Sequence, residues 1–127
     1  MRLKDKVAIV TGGGTGIGKA SAIRFAQEGA SVVVAGRRME KLEQTCAEIE
    51  AFGGTSVAVV TDMREEAQVN RLAARTLEHF GRIDLLFNCA GVGYSAPYVM
   101  DSTVKTPAKD WDEILNINLR SVFYMCK

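Results

Sequence analysis

Short apolar runs alternate along the chain with longer segments of helical periodicity. Apolar runs without alternation are typical of strands buried on both faces of a parallel sheet. Such runs predict strands at residues 7–10, 32–35, 57–60 and 85–87. Apolar residues at helical spacing predict helices over residues 16–27, 39–52 and 69–80, and a last helix from Trp111 onward.

The order of these elements predicts an α/β fold of the doubly wound type. In strand–helix repeats with buried strands, each helix connects two parallel strands in a right-handed crossover, and the helices cover both faces of the sheet. The chain has 127 residues, about the size of one ordinary domain. We therefore expect residues 1–127 to form one folding unit with no linker.

The last helix differs from the others in composition. Asp110 is its predicted N-cap, and Glu113 three residues later completes an Asp version of the capping box. From Trp111 onward the helix is apolar nearly all round, which predicts burial in a core or between subunits.

Composition and charge exclude several classes of protein. Apolar residues make up 47% and charged residues 24%, the balance of a soluble globular protein. The 16 Lys and Arg against 15 Asp and Glu argue against a nucleic-acid binder with a strong positive field. No apolar run approaches the roughly 20 residues that span a bilayer, and the run after Lys6 is too short for a signal peptide. We expect a cytoplasmic protein.

The cysteines and the histidine do not indicate a metal site. Cys46, Cys89 and Cys126 are far apart, and His79 is the single histidine. We expect buried or half-buried thiols in a reducing cytoplasm and no metal. His79 lies at the end of a helical pattern, where the helix dipole favours it.

A glycine-rich turn follows the first strand: Thr11-Gly12-Gly13-Gly14-Thr15-Gly16-Ile17-Gly18. A phosphate reaches the N–H groups at a helix N-terminus only where no Cβ blocks its approach. The same glycines would be a costly way to build a plain flexible turn. The turn therefore predicts a site for a phosphate-bearing ligand.

Two kinds of ligand compete for this turn. Residues 13–20 nearly fit the P-loop pattern G-x-x-x-x-G-K-[ST], but Ala20 stands where a hydroxyl should hold Mg²⁺. The usual dinucleotide pattern G-x-G-x-x-G does not fit either, since the spacing here is Gly12-x-x-x-Gly16-x-Gly18.

The spacing after Thr11 is similar to the T-G-x-x-x-G-x-G signature of the short-chain dehydrogenase/reductase family. Three further signals follow in the family's order: Asp62 after the third strand, Asn88-Cys89-Ala90-Gly91 where the family has N-N-A-G, and Asn118-Leu119 downstream of Trp111. The resemblance covers the whole chain and implies the first four strands of a Rossmann-type sheet. It implies that Asp62 lies at the adenine pocket.

The end of the second strand bears on the choice of cofactor. An Asp or Glu there binds the ribose 2′-hydroxyl of NAD, but this chain has Arg37 and Arg38. Guanidinium groups there could bind the 2′-phosphate of NADP, although a solvated pair at a helix start is the plainer alternative. Thr15 stands where many NADP-preferring relatives carry a basic residue. We favour NADP over NAD.

The motifs and the arginine pair together define a predicted cofactor site. Its residues are Gly12, Gly14, Thr15, Gly16, Ile17, Gly18, Arg37, Arg38, Asp62, Met63, Asn88, Ala90 and Gly91.

The resemblance implies hydride transfer assisted by a Ser, an Asn and a Tyr-x-x-x-Lys motif. Only the Asn has a match, at Asn118, although an Asn in a helix can also simply bridge backbone groups. Tyr94, Tyr98 and Tyr124 have no Lys four positions later. We expect this chain to be the N-terminal, dinucleotide-binding half of one domain, and to be inactive alone.

The leading hypothesis is an NADP-dependent oxidoreductase acting on a carbonyl, an alcohol or an enoyl thioester. The glycine turn and residues 123–127 are weakly similar to 2-enoyl-CoA and 3-oxoacyl reductases. A small-molecule substrate and a homodimer or homotetramer formed through the last helix are expected. A non-catalytic nucleotide-binding or assembly module is the alternative.

Overall fold

The computed structural model describes residues 1–92, 97–98 and 101–127. Within them, one parallel sheet has the order β3-β2-β1-β4. The strands are β1 (Val7–Thr11), β2 (Ser31–Gly36), β3 (Thr55–Val60) and β4 (Leu85–Phe87). All four predicted strands are confirmed, and the first three are one or two residues longer than the apolar runs. Ile9 stands between Val33 of β2 and Leu86 of β4 in the register.

The helices follow the strands in alternation. They are α1 (Gly16–Gln27), α2 (Met39–Ala51), α3 (Glu66–Phe80), α4 (Ala108–Leu115) and α5 (Ser121–Cys126). A π-helical turn, Asn116–Arg120, joins α4 to α5, and a 3₁₀ turn spans Thr103–Lys105. α3 begins three residues before the predicted start and ends at Gly81, which adopts the left-handed conformation (φ 74°).

Two apolar clusters lie on opposite faces of the sheet, which confirms the doubly wound fold. Because successive strand residues point to opposite faces, Val10, Val32 and Val34 pack with α1 and α2. Ile9 and Val33 instead pack with α3, and half-buried Tyr124 and Met125 of α5 join this second cluster. Buried side chains from α1, α2 and α3 include Ala22, Ala26, Leu42, Ile49, Val69 and Leu72.

The predicted capping box before the last helix is wrong. α4 begins at Ala108, its N-cap position is Pro107, and no side chain caps it. Proline suits a helix start because its φ is fixed near −65°, and here it is −64°. Asp110 lies buried in the first turn, where the helix dipole favours an acidic side chain. Glu113 binds Arg64 instead of the helix backbone.

The last helical segment is buried on one side only. Ile117 and Ser121 are buried, whereas Leu119 and Phe123 are 65% and 62% exposed. The expectation that this segment is covered all round is therefore not met within the chain itself. In the described part of the chain, no helix has the length and hydropathy needed to cross a membrane.

Candidate functional site

A groove opens at the carboxyl ends of the four strands. This edge is where ligands bind in open parallel α/β sheets. Most of the predicted cofactor-binding residues line the groove, namely Gly12, Gly14, Thr15, Arg37, Arg38, Asp62, Met63, Ala90 and Gly91. Gly16, Ile17, Gly18 and Asn88 of that set do not line it, and neither does Asn118.

Gly12 and Gly18 are glycines because the backbone is close-packed around them. Gly12 has a φ of +65°, and a Cβ there would lie 3.0 Å from the backbone nitrogen of Ala90. A Cβ on Gly18 would lie 2.1 Å from the carbonyl oxygen of Gly12. The start of α1 therefore packs directly on the turn. Gly16 has a φ of +54° with open space around it, so its conformation requires glycine.

Two buried threonine hydroxyls hold the glycine turn in place. The Thr11 Oγ1 accepts hydrogen bonds from the backbone N–H groups of Cys89 (3.0 Å) and Ala90 (3.1 Å). The Thr45 hydroxyl of α2 donates to the carbonyl oxygen of Gly13 at 2.9 Å. Sequence analysis missed Thr45, although its place between Leu42 and Ile49 on the apolar face of α2 indicated burial.

The start of α1 suits an anion. Thr15 is the N-cap with extended backbone, its side chain makes no capping hydrogen bond, and the first turn carries no acidic residue. The partial positive charge of the helix N-terminus is therefore not neutralised by the helix's own side chains. This end of the helix fits a phosphate group.

Three cations stand at one end of the groove. Arg37 and Arg38 follow β2 and are exposed, and Lys41 in the first turn of α2 lines the groove beside them. Among the described residues, none of the three forms an ion pair. Sequence analysis missed Lys41, although its position three residues after Arg38 places both on one side of α2.

Asp62 lies on the groove wall after β3, and its carboxylate is bound by Arg64. The Arg64 Nε lies 2.9 Å from Oδ1 and the Nη2 lies 2.6 Å from Oδ2. These hydrogen bonds hold the pKa of the Asp62 carboxyl below its ordinary value. The Asp62 N–H donates to the Gln68 Oε1 at 2.8 Å.

Asn118 bridges two segments through its amide. Its Oδ1 accepts from the Val92 N–H and its Nδ2 donates to the Val92 carbonyl oxygen, both at 2.8 Å. The π-helical turn is thereby tied to the loop after β4. This is the bridging role that the sequence left open. A Cβ on Gly91 would lie 3.3 Å from the Asn118 Oδ1, so glycine permits the close approach.

The remaining candidates within the described residues lie apart from the groove. The Asn88 Nδ2 donates to the Cys126 Sγ at 3.8 Å, so this side chain contacts the end of α5. Tyr124 packs in the second apolar cluster, and Tyr94 lies outside the described residues. Cys46 and Cys89 are half-buried free thiols, as predicted, whereas the free thiol of Cys126 is exposed; burial raises the pKa of Cys46. His79 lies in the last turn of α3, also as predicted.

Comparison with known proteins agrees with this geometry. The model of the family described as short chain dehydrogenase matches residues 6–127. The chain belongs to the short-chain dehydrogenase family.

Several relatives show how far the similarity extends. The 3-oxoacyl-[acyl-carrier-protein] reductase of Thermotoga maritima is 36% identical over 123 residues, which cover 97% of this chain and 48% of that protein. A short-chain dehydrogenase/reductase from Serratia marcescens superposes with a TM-score of 0.91 at 32% identity, over 99% of this chain and 50% of that one. A variant of actinorhodin polyketide ketoreductase with NADPH superposes with a TM-score of 0.88 at 30% identity, over 95% of this chain and 44% of that one. The chain spans about half the length of these relatives.

Proposed function

We propose that this chain is the dinucleotide-binding half of an NADP-dependent oxidoreductase. The observation that carries the proposal is the groove, in which a glycine turn, a helix N-terminus and three cations meet at the carboxyl edge of the sheet. When bound, a reduced nicotinamide would supply hydride to a carbonyl or an enoyl thioester, and an oxidised nicotinamide would accept hydride from an alcohol.

The groove fits the parts of a dinucleotide. Gly12, Gly14 and Thr15 line the groove next to the start of α1, where the diphosphate would bind. Asp62 and Met63 would contact the adenine ring at one wall, and Ala90 and Gly91 would border the opposite side. Gly16, Ile17 and Gly18 would shape the diphosphate turn, and Asn88 would support the loop after β4.

The three cations Arg37, Arg38 and Lys41, here called the basic cluster, support NADP over NAD as the cofactor. The ribose 2′-phosphate needs cations, whereas a free 2′-hydroxyl is bound by a carboxylate that this chain lacks at the end of β2. Arg37 and Arg38 have no ion-pair partner among the described residues, so their charges are available to a ligand. Lys41 would add a third cation. The ketoreductase above carries NADPH in its own structure.

Asn118 is proposed as the one member of the catalytic set in this chain, with a positioning role. Its side chain is committed to Val92, so it would act by holding the π-helical turn and its carbonyl groups in place rather than by contacting substrate. The proposed substrate is a small molecule, and the protein is proposed to be cytoplasmic. The exposed Leu119 and Phe123 are proposed to form the contact between identical subunits.

Titration of the purified protein with NADPH and NADH tests the cofactor proposal. We expect NADPH to bind about tenfold or more tightly than NADH, because charge-assisted hydrogen bonds to the 2′-phosphate add roughly 1.5–3 kcal/mol. The double substitution Arg37→Ala and Arg38→Ala should remove this preference and leave the affinity for NADH unchanged.

The control replaces Arg75, an exposed arginine of α3 outside the groove, with Ala. Tighter binding of NADH than NADPH by the parent protein would contradict the NADP assignment. Binding of Mg·ATP with no binding of either dinucleotide would favour the P-loop alternative.

A further inference from the structure

An ionic bridge runs from the groove to α4 through Arg64. Besides the contacts of its guanidinium with Asp62, the Arg64 backbone N–H donates to the Asp62 Oδ1 at 3.0 Å. The Arg64 Nη1 forms an ion pair with Glu113 of α4, 49 residues away along the chain. The three side chains are 21% (Asp62), 37% (Arg64) and 34% (Glu113) exposed, so solvent only partly screens the bridge.

The bridge determines which acceptor positions of the Asp62 carboxylate are left for a ligand. A carboxylate offers about four acceptor positions, and three N–H groups of Arg64 occupy most of them. A guanidinium that bonds both oxygens fixes the plane of the carboxylate as well as its charge. Little acceptor capacity remains on Asp62, and Arg64 sets the direction of what remains.

We propose that Arg64 is a positioning residue for the adenosine half of the dinucleotide, because it fixes Asp62 as an ionised acceptor on the groove wall. Glu113 holds Arg64 in place and thereby ties this wall to the helix that leads to Asn118. The inference rests on the proposed function.

A double-mutant cycle on the purified protein tests this role. The probe is 2′,5′-ADP, the adenosine half of NADP, titrated by calorimetry into the parent, Arg64→Ala, Asp62→Ala and the double variant. We expect Arg64→Ala to weaken binding about tenfold. In the Asp62→Ala background, the same change should weaken binding by less than about twofold, since Arg64 acts through Asp62.

Two further variants, one conservative and one a control, separate the role of Arg64 from a general effect of charge. Arg64→Lys keeps the cation without the planar pair of donors, and we expect it to bind about threefold more weakly than the parent. Arg75→Ala removes a comparable arginine from α3 and should bind as the parent does. Urea unfolding of every variant shows whether a loss of binding reflects a loss of folded protein.

The ionisation of Asp62 gives an independent readout. In the parent its pKa is depressed, so the charged acceptor persists as the pH falls below the ordinary Asp value of about 3.9. In Arg64→Ala the carboxyl ¹³C shift should titrate closer to that value. Binding of 2′,5′-ADP should then weaken at a higher pH than in the parent.

Three outcomes would overturn the inference. Equal binding by Arg64→Ala and the parent would remove any role for Arg64. Additive losses in the double variant would show that Arg64 contacts the ligand itself. If the parent bound neither 2′,5′-ADP nor NADPH, the proposed function would fail together with the inference. The first of these outcomes, in a parent that binds NADPH, would overturn the inference and leave the proposed function standing.

Discussion

Gly18 shows how one missing side chain sets the position of a helix. The carbonyl oxygen of Gly12 occupies the place where a Cβ of residue 18 would stand, 2.1 Å away. The contact is with backbone, so no rotamer change can relieve it. The approach of α1 to the turn, and with it the space for a phosphate, depends on this glycine.

Gly18→Ala is therefore expected to destabilise the fold by about 3 kcal/mol, since an added methyl group would force backbone to move. Urea unfolding measures the effect. Gly36→Ala is the matched control, because its Cβ would lie 3.4 Å from the Leu42 side chain, near ordinary contact. Equal stabilities of the two variants would contradict this account of Gly18.

The sequence identified some residues that build or support the groove and missed others for one reason. Gly12 and Gly18 were predicted because their spacing is a local pattern. Arg64 and Lys41 have no local pattern that assigns them to a ligand. The partner of Arg64, Glu113, is 49 residues away along the chain, so their contact depends on where the fold places α4.

Helix α2 acts as a support for the glycine turn. Thr45 on its buried face reaches the carbonyl oxygen of Gly13, and Lys41 one turn earlier reaches the groove. The helix therefore fixes both the turn and part of the basic cluster. A shift of α2 would therefore move the glycine turn and Lys41 together.

Thr45→Val tests the support given by α2. The change keeps the shape but leaves the Gly13 carbonyl without its donor, so we expect a loss of roughly 1–3 kcal/mol in stability and weaker NADPH binding. Thr76→Val in α3 is the matched control. The Thr76 hydroxyl is equally buried but donates only to Leu72 of its own helix, at 2.8 Å. Equal losses of NADPH affinity in both variants would contradict the role of Thr45.

Element positions were predictable wherever burial repeats along the sequence. The apolar runs located every strand of the described sheet, both the buried central strands β1 and β2 and the half-buried edge strands β3 and β4. The start of α4 was missed because Asp110 and Glu113 fit a capping pattern while Pro107 fits a helix start equally well. The two helix starts could be distinguished only from the fold, in which Asp110 is buried and Glu113 lies beside Arg64.

At the scale of the molecule, the apolar surface of the last helical segment is the feature that packing within the chain does not account for. Leu119 and Phe123 lie four residues apart and are mostly exposed, whereas Tyr124 and Met125 pack against the sheet. Large exposed apolar side chains on one helix face are typical of protein interfaces.

The double substitution Leu119→Glu and Phe123→Glu should convert a dimer or tetramer of the parent protein into monomers, because buried charges oppose association. Light scattering coupled to size-exclusion chromatography measures the mass. Val104→Glu is the control, since Val104 is 96% exposed in the segment before α4. A monomeric parent, or dissociation caused by Val104→Glu, would contradict the proposed interface.

The pairing of β1 with β4 also has a kinetic consequence. Val7 and Asp84 exchange hydrogen bonds across 77 residues of chain, whereas β1 pairs with β2 after only one helical crossover. Closing a longer loop costs more chain entropy, and distant pairings form late in folding. The three strands β1 to β3 can therefore assemble while β4 is still being synthesised. The groove is complete only when this last strand pairs with β1 and the loop after it reaches Thr11.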